Sequence, residues 1–253
     1  MIDAHAHLLS SMLDAKQIID NMQQDNLRYI INIGTSVKDS KEGISLANKH
    51  SNVFTTVGIH PEYANEVTDQ ILHEVEELAK EQKVVAIGEI GLDYHYGATE
   101  QEKIKQKYVF EKQIQIAHRL NLPIVVHCRD AAQDVYDILK QNKHLLGGGV
   151  CMHCYSEGAS WAEQFASLGV YFSFTGNITY KKTDRSYLQS LPIDKILVET
   201  DCPYLSPEPL RGRINQPKNV WLTAQKVADV LQMSLADFEK QVDANTMKFF
   251  NIK

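Results

Sequence analysis

Residues 1–8 read MIDAHAHL, a short apolar run that carries two histidines one residue apart. Alternate side chains of a β-strand share one face, so His5 and His7 would project together, about 6.6–7 Å apart along the strand. Both rings could then reach one metal ion. Alternatively, the two histidines are half-buried and hydrogen-bonded to carbonyl groups or water. For one such motif taken alone, this second interpretation is the better one.

Similar short apolar runs recur along the chain, separated by segments with the 3.6-residue period of amphipathic helices. This helical period is found in residues 14–24, 106–120, 130–140, 218–231 and 235–250. Including the first, the strand-like runs are residues 1–7, 29–34, 53–59, 84–89, 124–127, 149–153, 170–174 and 195–201.

Eight strands separated by helices predict an α/β fold, a (β/α)8 TIM barrel of the metal-dependent hydrolase type. We see no linker or break in composition, so residues 1–253 are interpreted as a single domain. An open, doubly wound sheet is the alternative. It would favour a glycine-rich phosphate loop after an early strand, and the sequence has none.

The composition is that of an ordinary globular protein, with 43% hydrophobic and 23% charged residues and a net charge of −6. This charge argues against a general nucleic-acid binder held by a basic surface. No apolar run approaches the ~18 residues of a membrane span. Without a visible signal peptide, and with four cysteines interpreted as reduced thiols, we expect a cytoplasmic monomer with no obligate protein partner and no membrane association.

Side chains that bind metals stand at the ends of almost every predicted strand, where TIM barrels carry their chemistry. We expect six ligands: His5, His7, Glu89, His127, His153 and Asp201. Imidazoles combined with carboxylates suit a divalent ion such as Zn, Mn, Mg or Ni, and four histidines favour zinc or manganese. Two ions would use all six ligands. One ion would be held by His5, His7 and Asp201 and the other by His127 and His153, with Glu89 bridging the two.

Seven segments in this order resemble the TatD family of metal-dependent deoxyribonucleases, which lies within the amidohydrolase-like barrels. They are DAHAHL, GIHPE, AIGEIGLDYH, LPIVVHCRDA, MHCYS, SFTGNITYKK and ILVETDCPYLSP. The resemblance runs from residue 1 to at least Asn219 and matches the six expected ligands position by position. It implies a hydrolase with two divalent ions that cleaves phosphodiester bonds of DNA, often from a 3′ end, with single-stranded DNA or DNA ends as the preferred substrate.

One segment departs from the family pattern. Family members usually carry a segment like RGKRNEP after the last strand, whereas residues 211–217 here read RGRINQP. The second large basic residue is replaced by Ile214, and the acid is replaced by Gln216. Because that loop is expected to border the substrate, the departures bear on efficiency or substrate choice.

Three residues are expected to act in the reaction, in which a hydroxide between the ions attacks phosphorus in line. Asp201 would orient the nucleophile or accept its proton, and Glu199 would be an acid–base partner or support a ligand. His60 would grip the scissile phosphate or steady the water on the metal, with capping of its own loop beside Pro61 as an equal alternative.

Five residues are candidates for contacts with the substrate. Arg129 follows His127 by two residues and would suit a phosphate, with pairing to Asp130 or Asp93 as the alternative. Tyr94 and His95 could stack on a base or simply pack at the rim. Arg211 and Arg213 are weaker candidates, because loop arginines are usually only solvated.

Two other functions fit the same ligands. A metal-dependent amidohydrolase or esterase could act on a small substrate or on aminoacyl-tRNA, because the metal centre polarises a carbonyl as readily as a phosphoryl group. A non-catalytic metal-binding protein is the second alternative. The sequence alone does not distinguish DNA from RNA, the polarity of cleavage or the physiological metal.

Overall fold

Eight parallel strands form one sheet whose strands follow each other in chain order. The computed structural model describes residues 1–253. The strands are β1 (Ile2–Ala6), β2 (Tyr29–Asn32), β3 (Val53–Val57), β4 (Val84–Asp93), β5 (Ile124–Arg129), β6 (Val150–Met152), β7 (Tyr171–Phe174) and β8 (Ile196–Val198). The predicted TIM barrel is confirmed.

The sheet closes where the first strand meets the segment that follows the last. Ala6 forms a parallel bridge with Cys202. The amide of His7 donates to the carbonyl of Cys202 at 2.9 Å, and the amide of Asp201 donates to the carbonyl of His5, also at 2.9 Å. Three expected metal ligands therefore lie on backbone segments that are hydrogen-bonded to each other.

Eight α-helices accompany the strands: α1 (Ala15–Asn21), α2 (Val37–Lys49), α3 (Asp69–Leu78), α4 (Glu100–Leu120), α5 (Ala132–Gln141), α6 (Ala159–Ser167), α7 (Val220–Leu231) and α8 (Leu235–Phe249). The expectation of a helix between every pair of strands is wrong at one place. The connection from β7 to β8 contains only short 3₁₀ turns, and α7 packs against them. No helix combines the length and the apolar character that a membrane span requires.

Neighbouring residues of one strand contribute to two different apolar clusters. Ile30, Val126 and Phe172 belong to a cluster shared with the helices, which lies between sheet and helices. Their neighbours Ile31, Val125 and Tyr171 belong to a second cluster of 12 residues inside the barrel. That inner cluster also includes the end of α8 and the residues after it: Phe249, Phe250 and Ile252. The C-terminal segment thus packs on the barrel interior.

Local sequence signals explain where the long helix α4 begins and ends. Thr99 and Glu102 form a capping box, in which the Thr99 side chain accepts from the amide of Glu102 and the Glu102 carboxylate accepts from the amide of Thr99. Asn121 ends the helix in the left-handed conformation. The strong cap fixes the start of α4 beside the loop that follows β4, at the mouth of the barrel.

Candidate metal centre

Strand ends bring the six expected ligands together at one mouth of the barrel. His5, Glu89 and His127 lie within β1, β4 and β5, while His7 and His153 directly follow β1 and β6. Asp201 stands three residues beyond β8, in the left-handed backbone conformation at φ 54°. All six belong to the carboxyl ends of their strands, the end at which TIM barrels carry active sites.

Glu89 lies between two pairs of imidazoles. Its Oε2 is 3.4 Å from Nε2 of His5 and 3.9 Å from Nε2 of His7. Its Oε1 is 2.7 Å from Nδ1 of His127 and 2.9 Å from Nε2 of His153. Each carboxylate oxygen therefore faces a different pair of potential ligands, as a bridging carboxylate would.

Asp201 completes the first of these sets. Its Oδ1 lies 3.2 Å from Nε2 of His7 and 3.5 Å from Nε2 of His5. The potential ligand atoms of His5, His7 and Asp201 all lie within 4.8 Å of one another, and so do those of His60, Glu89 and His127. A third group within the same limit consists of His5, His153 and Glu199. These groups overlap in one continuous cluster.

His5 provides the clearest test of whether a cation fits here. The side chain is completely buried, yet neither Nδ1 nor Nε2 has a hydrogen-bond partner. A buried polar atom without a partner costs free energy unless something binds it. Because Nε2 points toward the Glu89 and Asp201 carboxylates, a divalent cation held between these groups satisfies it, and the donor set fits such an ion.

The charges of the cluster stabilise one another. Burial would raise the pKa of Glu89, but the imidazoles of His153, His127 and His5 hold it well below its usual range. Burial would lower the pKa of His153, but the carboxylates of Glu89 and Glu199 raise it well above its usual range. For His5, burial dominates and lowers the pKa. Glu89 and His153 therefore each favour the charged form of the other.

Two carboxylates hold imidazoles from behind, away from Glu89. Asp93 Oδ2 lies 2.9 Å from Nε2 of His127, which leaves Nδ1 directed at Glu89. Glu199 Oε1 lies 3.2 Å from Nδ1 of His153 and also accepts from the amide of Cys154 at 2.7 Å. This arrangement favours the supporting role for Glu199 over the acid–base role, because carboxylates commonly orient ligating histidines in this way.

Asp93 is a site residue that the sequence reasoning missed. The apolar run predicts that β4 ends at Glu89, which leaves Asp93 only as a possible partner of Arg129. The strand continues to Asp93, and Asp93 pairs with Arg129 in register across β4 and β5. The spacing of four residues between Glu89 and Asp93 is the signal that could have found it, since positions i and i+4 of a strand share one face.

A glycine permits the close approach of β4 and β5 at this point. Gly91 has φ 141°, and a Cβ added there would collide with the backbone carbonyl of His127. Only glycine adopts this conformation without strain. The sequence Glu89-Ile-Gly91-Leu-Asp93 therefore lets two carboxylates of one strand, four residues apart, reach His127.

His60 caps its own loop, which is one of the two roles weighed for it from the sequence, and its other ring nitrogen faces the cluster. Its Nδ1 accepts from the amide of Glu62 at 3.2 Å, which caps the loop beginning at Pro61. Its Nε2 lies 3.7 Å from Oε1 of Glu89. Burial lowers the pKa of His60 to about 4, so the ring is neutral near pH 7 and its proton resides on Nε2, facing the cluster.

A cavity of about 1180 Å³ opens above the cluster. Only some of the candidate substrate contacts line it. Arg129 lines it, but its guanidinium lies over the ring of Tyr96, 5.3 Å from the centroid. Tyr94 and His95 do not line it. The Tyr94 hydroxyl donates to Asp134 at 2.8 Å, and His95 Nδ1 lies 2.7 Å from Asp130. Of the two alternatives that the sequence leaves open for Tyr94 and His95, these contacts agree with packing at the rim.

Arg211 and Arg213, the weaker candidates from the sequence, do not line the cavity. Both are exposed, and Arg211 stacks over the ring of Tyr180 at 4.2 Å from the centroid. Their loop has no regular period that would have fixed their direction from the sequence. They belong to the rim formed by the connections after β7 and β8.

The residues that depart from the family segment are not the ones that hold this loop. Ile214 is 53% exposed, whereas Asn215 is fully buried. The Asn215 amide donates to the carbonyls of Thr200 and Tyr204, and its oxygen accepts from Asn219 and from the amide of Gln216. Asn215 thereby fixes the backbone on both sides of Asp201.

Comparison with known proteins gives one consistent family. The family described as TatD related DNase matches residues 2–251. The YabD protein of Bacillus subtilis, described as an uncharacterized metal-dependent hydrolase, is 34% identical, over 100% of this chain and 99% of its own length. The YcfH protein of Escherichia coli K12, described in the same words, is 33% identical, over 100% of this chain and 96% of its own.

Solved structures show the same fold. The crystal structure of YJJV, a TatD homolog from Escherichia coli K12, superposes with a TM-score of 0.92 at 24% identity, over 100% of this chain and 98% of its own. A hydrolase of the TatD family from Entamoeba histolytica gives a TM-score of 0.86, also at 24% identity, with 98% and 97% of the two chains covered.

Proposed function

This chain belongs to the TatD-related DNase family and is a metal-dependent hydrolase; from that premise we propose that it removes nucleotides from the 3′ end of single-stranded DNA with two bridged divalent cations. The observation that carries the proposal is the position of Glu89, whose two oxygens face separate sets of imidazoles. His5, His7 and Asp201 would hold one cation, and His127 and His153 the other. Four imidazoles favour zinc or manganese over magnesium, whose sites are dominated by Asp and Glu.

The chemistry follows from what surrounds the cations. Bound divalent cations would activate a water for in-line attack and neutralise charge on the phosphate oxygens. Asp201, whose pKa is held below its usual range by His7 despite burial, is ionised and orients or accepts the proton of the attacking water. His60, neutral with its proton on Nε2, donates to a phosphate oxygen.

The charges around the mouth support attack at an end of the chain. The basic lobe, defined as Lys181, Lys182, Arg211 and Arg213, is exposed on the connections after β7 and β8. These connections are tied together, since the Tyr180 hydroxyl donates to the carbonyl of Ser206 and the amide of Glu208 donates to the hydroxyl of Thr179. A polyanion is attracted to this lobe.

The opposite side of the mouth is acidic. The acidic wall, defined as Asp39, Glu42, Glu62 and Glu102, lines the cavity on the side of β2–β4, with Lys38 as the single base among it. In an eight-stranded barrel β3 and β4 lie across from β7 and β8, so the wall faces the basic lobe. A DNA backbone crossing the whole mouth would be repelled by the wall, whereas a strand that ends at the cations would not.

A metal-dependent amidohydrolase or esterase is the second candidate, and the acidic wall is the observation that favours it. A cavity lined by the four carboxylates of the acidic wall suits a small neutral or cationic substrate better than a long polyanion. The same cation pair would polarise the carbonyl group of an amide or an ester, and aminoacyl-tRNA is one such ester. A purely metal-binding role is disfavoured by the open cavity above the cluster.

One parallel assay tests these alternatives. Protein loaded with manganese or zinc is incubated with single-stranded DNA labelled at the 5′ or the 3′ end, with the same sequence as RNA, and with amide and aminoacyl ester substrates. The proposal predicts mononucleotides released from the 3′ end of DNA. Cleavage of the ester or amide alone would replace the nuclease by the second candidate.

A further inference from the structure

Among the aromatic side chains, Tyr96 combines high exposure with a position in the cavity. It is 87% exposed, the highest value of any large hydrophobic residue in the protein, and it lines the cavity above the cluster. Leaving a large aromatic ring in water costs hydrophobic free energy, so an exposed ring in a cavity is a candidate contact for a ligand. Residue 96 was absent from the sequence-based candidates, which stopped at His95.

The Tyr96 ring is held in position by its neighbours. The guanidinium of Arg129 lies over the ring at 5.3 Å from the centroid. The ring of His95 meets it edge to face at 5.0 Å, and His95 is in turn held by Asp130 at 2.7 Å. A ring supported in this way loses little conformational entropy when a second flat group stacks on it.

Arg129 and Asp93 connect this ring to the candidate metal centre. Arg129 follows His127 by two residues and pairs in register with Asp93, whose carboxylate holds Nε2 of His127. Tyr96 lines the same cavity as Glu89, His127 and His153, and it follows β4, on the acidic side of the mouth. An uncharged, flat group fits there, because a phosphate would meet the acidic wall.

We propose that Tyr96, backed by Arg129, is a stacking platform for the nucleobase of the terminal nucleotide. This inference rests on the proposed nuclease function and names how that site recognises its substrate. The uncharged base takes the acidic side, while the phosphates of the remaining strand follow the basic lobe. Stacking on an aromatic ring is tolerant of base identity, so the platform selects for a base without selecting a sequence.

The test compares substrates with and without the terminal base. Single-stranded DNA and the same strand ending in an abasic nucleotide are cleaved by metal-loaded protein carrying Tyr96→Leu or Tyr96→Phe. The matched control is Tyr108→Leu, which removes an exposed tyrosine flanked by Lys105 and Lys112 at 5.5 and 5.3 Å on α4, outside the cavity.

Tyr96→Leu is expected to lower kcat/KM on the normal strand about 10-fold, within the range measured for loss of one base stack. It should leave kcat/KM on the abasic strand nearly unchanged, and Tyr96→Phe and Tyr108→Leu should resemble the unaltered protein. An equal loss on both strands, or no loss on the normal strand, would overturn the platform.

A binding measurement separates this inference from the proposed function. A strand ending in 2-aminopurine is titrated with the unaltered protein and with Tyr96→Leu, and the fluorescence quenching that accompanies stacking is recorded. If the unaltered protein quenches the fluorescence, Tyr96→Leu does not, and no strand is cleaved, the nuclease function is overturned and the platform is retained. Cleavage without quenching, or equal quenching by both proteins, would retain the nuclease and overturn the platform.

Discussion

The carboxylate of Asp93 lies 2.9 Å from Nε2 of His127, on the side of the ring away from Glu89. Burial would raise the pKa of Asp93, but the hydrogen bond to His127 lowers it, so Asp93 is ionised and fixes the imidazole with Nδ1 toward Glu89. This contact makes Asp93 a positioning residue for the metal centre, since it acts through His127.

Replacing Asp93 by asparagine is expected to weaken cation binding about 10- to 100-fold, because the carboxylate behind a ligating histidine orients it and raises its basicity. Calorimetric titration with zinc measures the effect. Asp130→Asn is the matched control, since that exposed carboxylate contacts His95 at the same rim. Equal affinities of Asp93→Asn and the unaltered protein would contradict the positioning role.

Replacing Glu89 by glutamine is expected to reduce the bound divalent cations from two to at most one and to lower kcat at least about 100-fold. The amide lacks the charge and one of the two oxygens that face the imidazole sets, and loss of a metal costs several kcal/mol of transition-state stabilisation. Elemental analysis of the dialysed protein gives the stoichiometry. Glu62→Gln, on the acidic wall, should keep both cations.

The segment RGRINQP gives a prediction of unequal effects on stability at neighbouring positions. Asn215→Ala should lower the free energy of unfolding by about 2–4 kcal/mol, because it leaves buried carbonyls without donors beside Asp201. Restoring the family residues by Ile214→Arg and Gln216→Glu should change it by no more than about 0.5 kcal/mol each, because Ile214 is exposed and Gln216 half-buried. Urea denaturation measures both, and a small effect of Asn215→Ala would refute the role assigned to its amide.

Cation affinity is expected to fall as the pH is lowered. Although burial lowers the pKa of His153, His127 and His7, contacts with Glu89, Glu199, Asp93 and Asp201 raise it above the usual value in each case. A cation must therefore displace protons from these rings, so affinity should drop at least about tenfold from pH 8 to pH 6. Titrations in two buffers of different ionisation enthalpy count the protons released; an affinity independent of pH would contradict this.

The sequence predicted the parts of this site that follow strand periodicity. His5 and His7, Glu89, His127 and His153 lie in or directly beside strands, and apolar runs locate the ends of parallel strands at one mouth. The eight-stranded barrel followed from the same runs and is confirmed.

The residues beyond the strands did not follow from the sequence. Tyr94, His95 and Tyr96 are consecutive, yet only Tyr96 lines the cavity, because a turn begins after Asp93 and the alternation of faces ends there. The helix expected between β7 and β8 is replaced by 3₁₀ turns. Arg185 stabilises that connection by donating to the carbonyls of Ile178, Tyr180 and Thr183. No periodic pattern in the sequence predicts these contacts.

The most direct test of the central claim is anomalous diffraction from crystals grown with manganese or zinc. We expect two peaks about 3.5–4 Å apart on either side of the Glu89 carboxylate, one beside His5, His7 and Asp201 and the other beside His127 and His153. A single peak at Glu89, or peaks only elsewhere on the protein, would contradict it.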